Sequence, residues 1–328
     1  MDTLARAQQG NEKAFEALMA PFQRELRAHC YRMAGSIDDA DDLLQESMLK
    51  AWRSLPAFEG RSSLRTWLYR VTTSTCIDRL KSRSARKRAE DLGPASRAHD
   101  PIPEAAHGEW IEPAPSSLYA DDAPSPEARV TTRESVSLAF LASLQLLPPA
   151  QRATLIACDV LGFSAEECAA VLDTTVPAVR SALQRARDSI ATRVLGWTPA
   201  PPREEGTRAL LARYVDAWNR ADHKALLTLL HSDATMAMPP LPIWMHGAAD
   251  IAEAIGVMVF ASCAVDTFRA VATEANGVPA LAFYRRGDDG SYAPFALHVL
   301  QIDGDSVRGL TAYLDIRVLR TFDLPPSL

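Results

Sequence analysis

The residues of this 328-residue sequence that could do chemistry are charged clusters of one sign rather than nucleophiles. Asp38, Asp39, Asp41, Asp42, Gln45 and Glu46 form a tight acidic group, and Arg79, Lys81, Arg83, Arg86, Lys87 and Arg88 follow as a basic one. A second basic set, Arg180, Arg185 and Arg187, lies further on. Such clusters suit recognition of large, oppositely charged partners, phosphates for the basic sets and a basic protein face for the acidic one. The net charge of −6 averages these regions and does not exclude a local basic face. The cysteines, Cys30, Cys76, Cys158, Cys168 and Cys263, show no C-x-x-C pairing and no histidine at zinc-ligand spacing, so they read as reduced, mostly buried thiols. No glycine-rich phosphate loop of P-loop or Rossmann type is present. No catalytic residue, metal or cofactor is assigned.

The elements that position these clusters are helices. Phe15, Leu18, Met19, Phe22, Leu26 and Met33 make an amphipathic pattern from about Asn11 to Ala34, with Pro21 as a kink or break. Leu43, Leu44, Met48, Leu49 and Trp52 then define a helix over Asp38 to Trp52 whose first turns carry the acids, where the macrodipole favours them. Pro56 ends it, the loop Gly60-Arg-Ser-Ser63 supplies an N-cap, and the next helix runs to about Lys81 with Trp67 and Tyr69 on it. Both aromatic rings are read as packed inside the helical domain rather than stacked on bases. From Ala89 to about Thr131, prolines at 94, 101, 103, 113, 115, 124 and 126 punctuate a polar, acidic linker. Trp110-Ile-Glu-Pro113 interrupts it as an apolar island expected to dock on a folded surface.

Helical pattern resumes from Glu134 to Leu195. Ser164-Ala-Glu-Glu167 fits a capping box that opens a short helix, Ala165 to Leu172. Asp173-Thr-Thr175 turns the chain, and a helix from Val176 to about Arg193 follows with Pro177 in its first turn. This is a helix-turn-helix: Ala169 and Leu172 point inward, Thr175 caps, Val179 and Leu183 face the first helix, and Thr175, Ala178, Arg180, Ser181, Gln184, Arg185 and Arg187 are displayed.

Acidic helix, glycine-containing loop, basic helix with Trp67 and Tyr69, then Leu146-Leu-Pro and the Val-Arg-Ser-Ala-Leu-Gln-Arg-Ala-Arg run, in that order, resemble domains two and four of the sigma-70 family of transcription initiation factors, in its extracytoplasmic-function (ECF) group. Asp173 stands where family members usually carry glycine. The resemblance implies that Asp41, Asp42, Gln45 and Glu46 engage the clamp of the largest subunit of core RNA polymerase. It further implies that Gly60, Arg61, Ser62, Ser63, Arg65, Arg70 and Arg79 meet the minus-ten promoter element, with a flipped base held near the loop. The displayed residues of the second helix would read the minus-thirty-five element in the major groove, Arg180 and Ser181 near base edges and Arg185 or Arg187 on the backbone.

After Gly196-Trp-Thr-Pro-Ala-Pro-Pro202 a third region begins. Leu210, Leu211, Tyr214, Val215 and Trp218 form one helical face. Lys224–His231, a strand-like Ala234–Met238 and a helix from Ala248 to Val259 follow, then strands from Thr267, Ala280, Tyr292 and Ser306 joined by turns at Asn276-Gly277, Gly287–Gly290 and Gly304-Asp305. Helices first, then a curved antiparallel sheet, resemble the SnoaL-like (NTF2-like) cone fold. Tyr214, Trp218, Asp233, His246, His298 and Asp315 are candidates for a pocket there. An acid/base pair of His246 with Asp233 is conceivable chemistry, but a lone histidine after Trp244-Met245 is more often structural.

The expected organisation is therefore multidomain. Two all-α sigma domains (1–88 and 132–196, the second with the helix-turn-helix) are joined by the linker 89–131 and followed by an α+β SnoaL-like cone domain (203–328). The expected function is a non-enzymatic ECF sigma factor acting with core RNA polymerase on promoter DNA. Its third domain would regulate it in cis through contact with the sigma domains or the linker. The alternatives are a one-component regulator in which the cone senses a ligand and the helix-turn-helix binds an operator, or a SnoaL-like enzyme with a DNA-binding extension. Met1-Asp-Thr-Leu-Ala-Arg has no apolar signal core and no stretch approaches the ~20 apolar residues of a membrane span, so a cytoplasmic protein with no membrane contact is expected.

Overall fold

A computed structural model describes residues 3–81, 85–91, 93–106, 110–119, 137–191 and 204–328. Arg83, the linker from 120 to 131 with Pro124 and Pro126, Glu134, and the chain from 192 to 203 with Arg193 and Gly196 to Pro202 lie outside the described residues. The chain divides into two compact units, one of Met1–Arg86 with Ser117–Gly196, the other of Lys87–Ser116 with Trp197–Leu328.

In the helical unit, α1 (Thr3–Gln8), α2 (Glu12–Met19), α3 (Gln23–Ala34), α4 (Ile37–Ser54) and α5 (Leu64–Leu80) precede α6 (Leu138–Gln145), α7 (Pro149–Leu155), α8 (Ala165–Leu172) and α9 (Val176–Ala191). Pro21 sits in a 3-10 turn, Ala20–Phe22, between α2 and α3. The acidic helix α4 is capped by Ser36, whose hydroxyl accepts from the Asp39 N–H at 3.2 Å, and it buries Ile37, Ala40, Leu43, Ser47 and Ala51 at helical spacing. Gly35 ends α3 at φ +73°, and a Cβ there would come 3.1 Å from the Gln145 side chain, so backbone sign and close approach both require glycine. The capping box of Ser164 and Glu167 opens α8. Asp173 follows it in the left-handed conformation, φ 52°, taking the position that glycine usually fills at little more than a short polar side chain's cost. The Ala178 N–H reaches the Thr175 hydroxyl at the start of α9.

The two helical modules are not separate bodies on a tether. Met19, Leu26, Leu68 and Tyr69 of the first share one core with Phe163, Cys168, Val171 and Val179 of the second. Arg152 crosses the joint while 4 % exposed, donating to the Met33, Gln145 and Leu147 carbonyls and to the Gln145 side-chain oxygen. Burial lowers its guanidinium to a pKa of about 10.

The second unit contains α10 (Glu204–Asn219), α11 (His223–Leu227), α12 (Ala248–Met258) and a six-stranded sheet. Its strands are β1 (Leu230–Ala237), β2 (Trp244–His246), β3 (Phe268–Ala275), β4 (Val278–Arg286), β5 (Tyr292–Asp303) and β6 (Ser306–Tyr313), in the order β2-β1-β6-β5-β4-β3. The expected antiparallel sheet is mixed: β1 runs parallel to β6, the chain between them passing through β2, the crossover helix α12 and the antiparallel strands β3 to β5. His231, read with the preceding helix, lies in β1. Asn276 and Gly277 take φ of +51° and +76° in the β3–β4 turn, as a tight hairpin requires. Leu281, Phe283, Leu300, Leu310 and Ala312 face the helices with Leu210, Tyr214, Trp218 and Ile251.

The first half of the linker belongs to this unit and is not a solvated tether. The Trp244 indole donates to the Gly93 carbonyl at 2.8 Å, and the Ser96 N–H donates back to the Trp244 carbonyl at 2.7 Å. Trp110 is 5 % exposed, packed against Ala237 and Trp244. Further on, the Tyr313 hydroxyl donates to the Ile111 carbonyl at 3.1 Å, Ala114 and Asn276 exchange bonds at 2.9 Å, and Pro115 bridges Ala275. Proline-rich chain lacks donors to pair with itself, so it borrows partners from the sheet edge.

Candidate nucleic-acid interface

The acidic face of α4 carries Asp42 and Gln45 exposed at its surface, with Glu46 in an i,i+4 pair with Lys50 at 2.9 Å. Asp41 is held by the Arg27 guanidinium at 2.5 and 2.7 Å, and the hydrogen bond to Asp41, with its charge, pushes Arg27 up against the opposing effect of burial. Arg79, read as a phosphate contact, lines the same depression as Asp39, Asp42, Gln45 and Glu46. Among the described residues the basic run does not form one continuous face. Arg86 folds back onto Asp39 at 2.6 Å and Arg88 pairs with Asp91 at 3.4 Å, because carboxylates of α4 and of the next turn lie within reach.

The loop before α5 is exposed at Gly60, Arg61 and Ser62. Gly60 takes φ +74°, Arg61 pairs with Glu59 at 3.2 Å, and Ser63 caps α5 by accepting from the Thr66 N–H at 3.0 Å. Arg65 has another engagement. Its guanidinium holds Glu25 at 3.0 Å and lies 5.0 Å from both the Tyr69 and Phe163 ring centres, a cation between two rings across the module joint. Arg70 pairs with Asp173, in the turn of the helix-turn-helix, at 3.2 Å. Tyr69 is buried, and Trp67 is half-buried with its ring 5.2 Å from Phe58.

On α9, Thr175, Ala178, Arg180, Ser181, Gln184, Arg185 and Arg187 are all exposed, one face of a helix whose other side buries Val179 and Ala186. Arg185 reaches the Ser181 hydroxyl at 2.6 Å and Gln184 reaches Asp188 at 2.8 Å. Arg187 is paired with Asp159 at 2.6 Å. Inward packing from α8 falls to Cys168, Ala169 and Val171, whereas Leu172 is half-buried. Phe163, Glu25 and Arg27 escaped the sequence reading, as did the pairing of Asp173 with Arg70. Gly162, at φ +70°, was the one local sign of the turn that presents Phe163 to the shared core.

The six pocket candidates of the second unit do not converge. Tyr214, Trp218 and His298 come together: the Tyr214 hydroxyl lies 3.1 Å from His298 Nδ1, and the Trp218 and His298 rings are 4.8 Å apart. Phe260, Phe268 and Phe283 fill the space around them. Burial drives His298 down to a pKa of about 3, so it is neutral, and burial pushes the Tyr214 phenol up. Asp233 and His246 are exposed, and Asp315 pairs with Arg317 at 2.5 Å. Among the described residues no group of three or more metal-ligating side chains gathers, and no helix is long and apolar enough to cross a membrane.

Comparison with known proteins bears on both units. The family model "Sigma-70 region 2" matches residues 18–86, and "Sigma-70, region 4" matches residues 137–190. The ECF RNA polymerase sigma factor SigG of Mycobacterium tuberculosis is 40% identical over 321 residues, 96% of this chain and 85% of that protein. The ECF RNA polymerase sigma-E factor of Escherichia coli K12 is 30% identical over 189 residues, 58% of this chain and 91% of the relative. Among solved structures, the extracytoplasmic function sigma factor SigJ of Mycobacterium tuberculosis superposes with a TM-score of 0.54 at 20% identity, over 96% of this chain and 100% of that one. That last likeness is one of fold.

Proposed function

Because the chain belongs to the ECF RNA polymerase sigma factors, with a SnoaL-like α+β domain at its C-terminal end, we propose that it brings core RNA polymerase to one class of promoter and is regulated by that domain in cis. The observation that carries this reading is 40% identity to a sigma factor along almost the entire chain, C-terminal unit included. The acidic face of α4, with Asp41, Asp42, Gln45 and Glu46, meets the clamp of the largest polymerase subunit. The loop Gly60–Ser63 with Arg65, Arg70 and Arg79 engages the minus-ten element. The exposed face of α9 enters the major groove at the minus-thirty-five element, where one bidentate arginine–guanine contact contributes ~1–3 kcal/mol of discrimination. Arg65 and Arg70 are engaged with Glu25, Phe163 and Asp173, which supports a cycle in which the two modules part before DNA is bound.

The C-terminal unit acts without catalysis, and the protein works in the cytoplasm. Burial of Tyr214 and His298 among phenylalanine rings supports a packing role for them. Regulation passes through the linker, since Lys87–Ser116 belongs to the C-terminal unit and a docked linker has less reach than a free one. Run-off transcription with core polymerase on promoter fragments tests the reading. Full-length protein should direct initiation and co-elute with the core enzyme, Asp42→Lys should lose both, and Trp110→Ala should change the level of initiation. Silence on a broad pool of fragments, with no binding to core polymerase, overturns it.

A further inference from the structure

We propose that Cys158 and Cys168 are a redox modification site, a thiol pair that hydroperoxides convert to a disulfide inside the DNA-binding module. Their sulfurs face each other at 2.8 Å, within reach of a ~2.05 Å bond, and the residues are ten apart in sequence. Cys158 sits in the π-helical turn Ile156–Val160 that ends α7, and Cys168 lies on α8. Their exposures differ in the way a two-step oxidation needs. Cys158 is half-exposed and meets the oxidant, whereas Cys168 is fully buried behind it and resolves.

The Cys158 thiolate attacks one peroxide oxygen, the O–O bond breaks, and hydroxide or alkoxide leaves, giving a sulfenic acid at Cys158. The Cys168 sulfur then displaces that oxygen as water and the S–S bond forms. The two thiols lose two electrons and two protons, and the peroxide is reduced by the same two electrons. The remaining cysteines are arranged otherwise. Cys30 and Cys76 lie 3.8 Å apart but are both fully buried, out of reach of an oxidant, and Cys263 donates to the Val259 carbonyl at 3.0 Å. Burial raises both members of the reactive pair, with Asp159 adding to the effect at each, Glu167 at Cys168, and Arg187 opposing it at Cys158. Oxidation therefore quickens as pH rises.

The chain between the two cysteines carries Phe163, whose ring meets Tyr69 edge-on at 5.2 Å and underlies the Arg65 guanidinium. A cross-link closes that loop and holds Phe163 as it is presented in the packed arrangement, removing freedom that the parted modules would otherwise gain. Oxidation then favours the packed, DNA-incompetent arrangement, a consequence that rests on the function proposed above, while the disulfide itself does not.

The test treats the native full-length protein with hydrogen peroxide and maps its peptides without reduction. The expected result is one linked 158–168 peptide pair, loss of two titratable thiols, reversal by dithiothreitol, and Cys30 and Cys76 labelled only after unfolding. Run-off transcription should fall about tenfold on oxidation and recover on reduction, and Cys158→Ser should be insensitive to peroxide. Both thiols staying unlinked while Cys263 oxidises, or Cys158 passing to sulfinic acid with no link, overturns the site. A link with unchanged initiation overturns the coupling to Phe163. A reduced protein that never initiates, yet still forms the link, overturns the sigma-factor reading and leaves the site standing.

Discussion

The two compact units hold themselves together by different physics. In the helical unit the shared core is edged by an ion pair that spans the two modules, Arg70 with Asp173, and by the Arg65 guanidinium, which is paired with Glu25 in its own module and reaches across to the Phe163 ring, while one buried arginine, Arg152, ties the joint. In the C-terminal unit Trp218 lies within 4.8 to 5.3 Å of the rings of Phe260, Phe268, Phe283 and His298, and no charged side chain enters that cluster among the described residues. Exposed pairs contribute little and are screened by salt, whereas close-packed aromatic rings lose most of their contact energy on a small displacement. A rim of the first kind is the weaker of the two and is weakened further by salt. A core of the second kind stays as it is, and suits an anchor for a docked linker.

The sharpest way to break this contrast is at the aromatic core. Trp218→Ala should cost ~3–5 kcal/mol through the cavity it leaves, read as a lowered denaturation midpoint of the C-terminal unit with the helical unit's transition unmoved. Arg152→Ala should come next, at ~2–4 kcal/mol, because it strands buried carbonyls of Met33, Gln145 and Leu147 without a donor; here the helical transition moves instead. Acid should weaken both units. The folded pKa of His298 is lowered to about 3 from 6.5, so the unfolded chain takes up the proton first as pH falls. Its stabilising effect is complete above about pH 6.5 and is lost toward about pH 3, at up to ~1.4 kcal/mol per pH unit. Urea melts at pH 7.5 and 5 should show this slope in the C-terminal unit and lose it in His298→Asn. His29, buried and lowered to about 3 chiefly by burial and then by Arg32, gives the same sign in the helical unit. The smallest effect belongs to the rim: Arg70→Ala should cost less than ~1 kcal/mol, with a coupling to Asp173 that fades in high salt in a double-mutant cycle. A coupling that persists in salt would mean that the joint is no looser than the cone.

Much of the local structure was legible. Ser63 and Ser164 mark helix starts, Pro21 and Pro56 mark breaks, and Asn276-Gly277 marks a hairpin, each through a backbone group that needs a partner or a sign of φ that few residues accept. The display of α9 followed from helical period alone, since a helix that buries Val179 and Ala186 must turn Arg180, Gln184 and Arg187 outward. The acidic face of α4 was legible for the same reason. Pairing across distance was not. Arg65 looked like a phosphate ligand because charge and position say nothing about Glu25 or Phe163, which join it only when α3 and the turn before α8 are brought together. Asp233 and His246 were grouped with Tyr214 and His298 by residue type, yet strand alternation sends the first two to solvent and the last into the core.

The order of acidic helix, loop, basic helix, helix-turn-helix and α+β domain, together with family membership, was decided by the sequence itself, because caps, breakers and hydrophobic period act over a few residues and need no distant partner. Tertiary structure alone decided three further matters. The two helical modules share one core, the linker from Lys87 to Ser116 is part of the C-terminal unit, and Cys158 meets Cys168. The reason is the same in each case. Burial and pairing are collective, and a proline-rich segment or a lone thiol carries no periodic signal that names the surface it will meet.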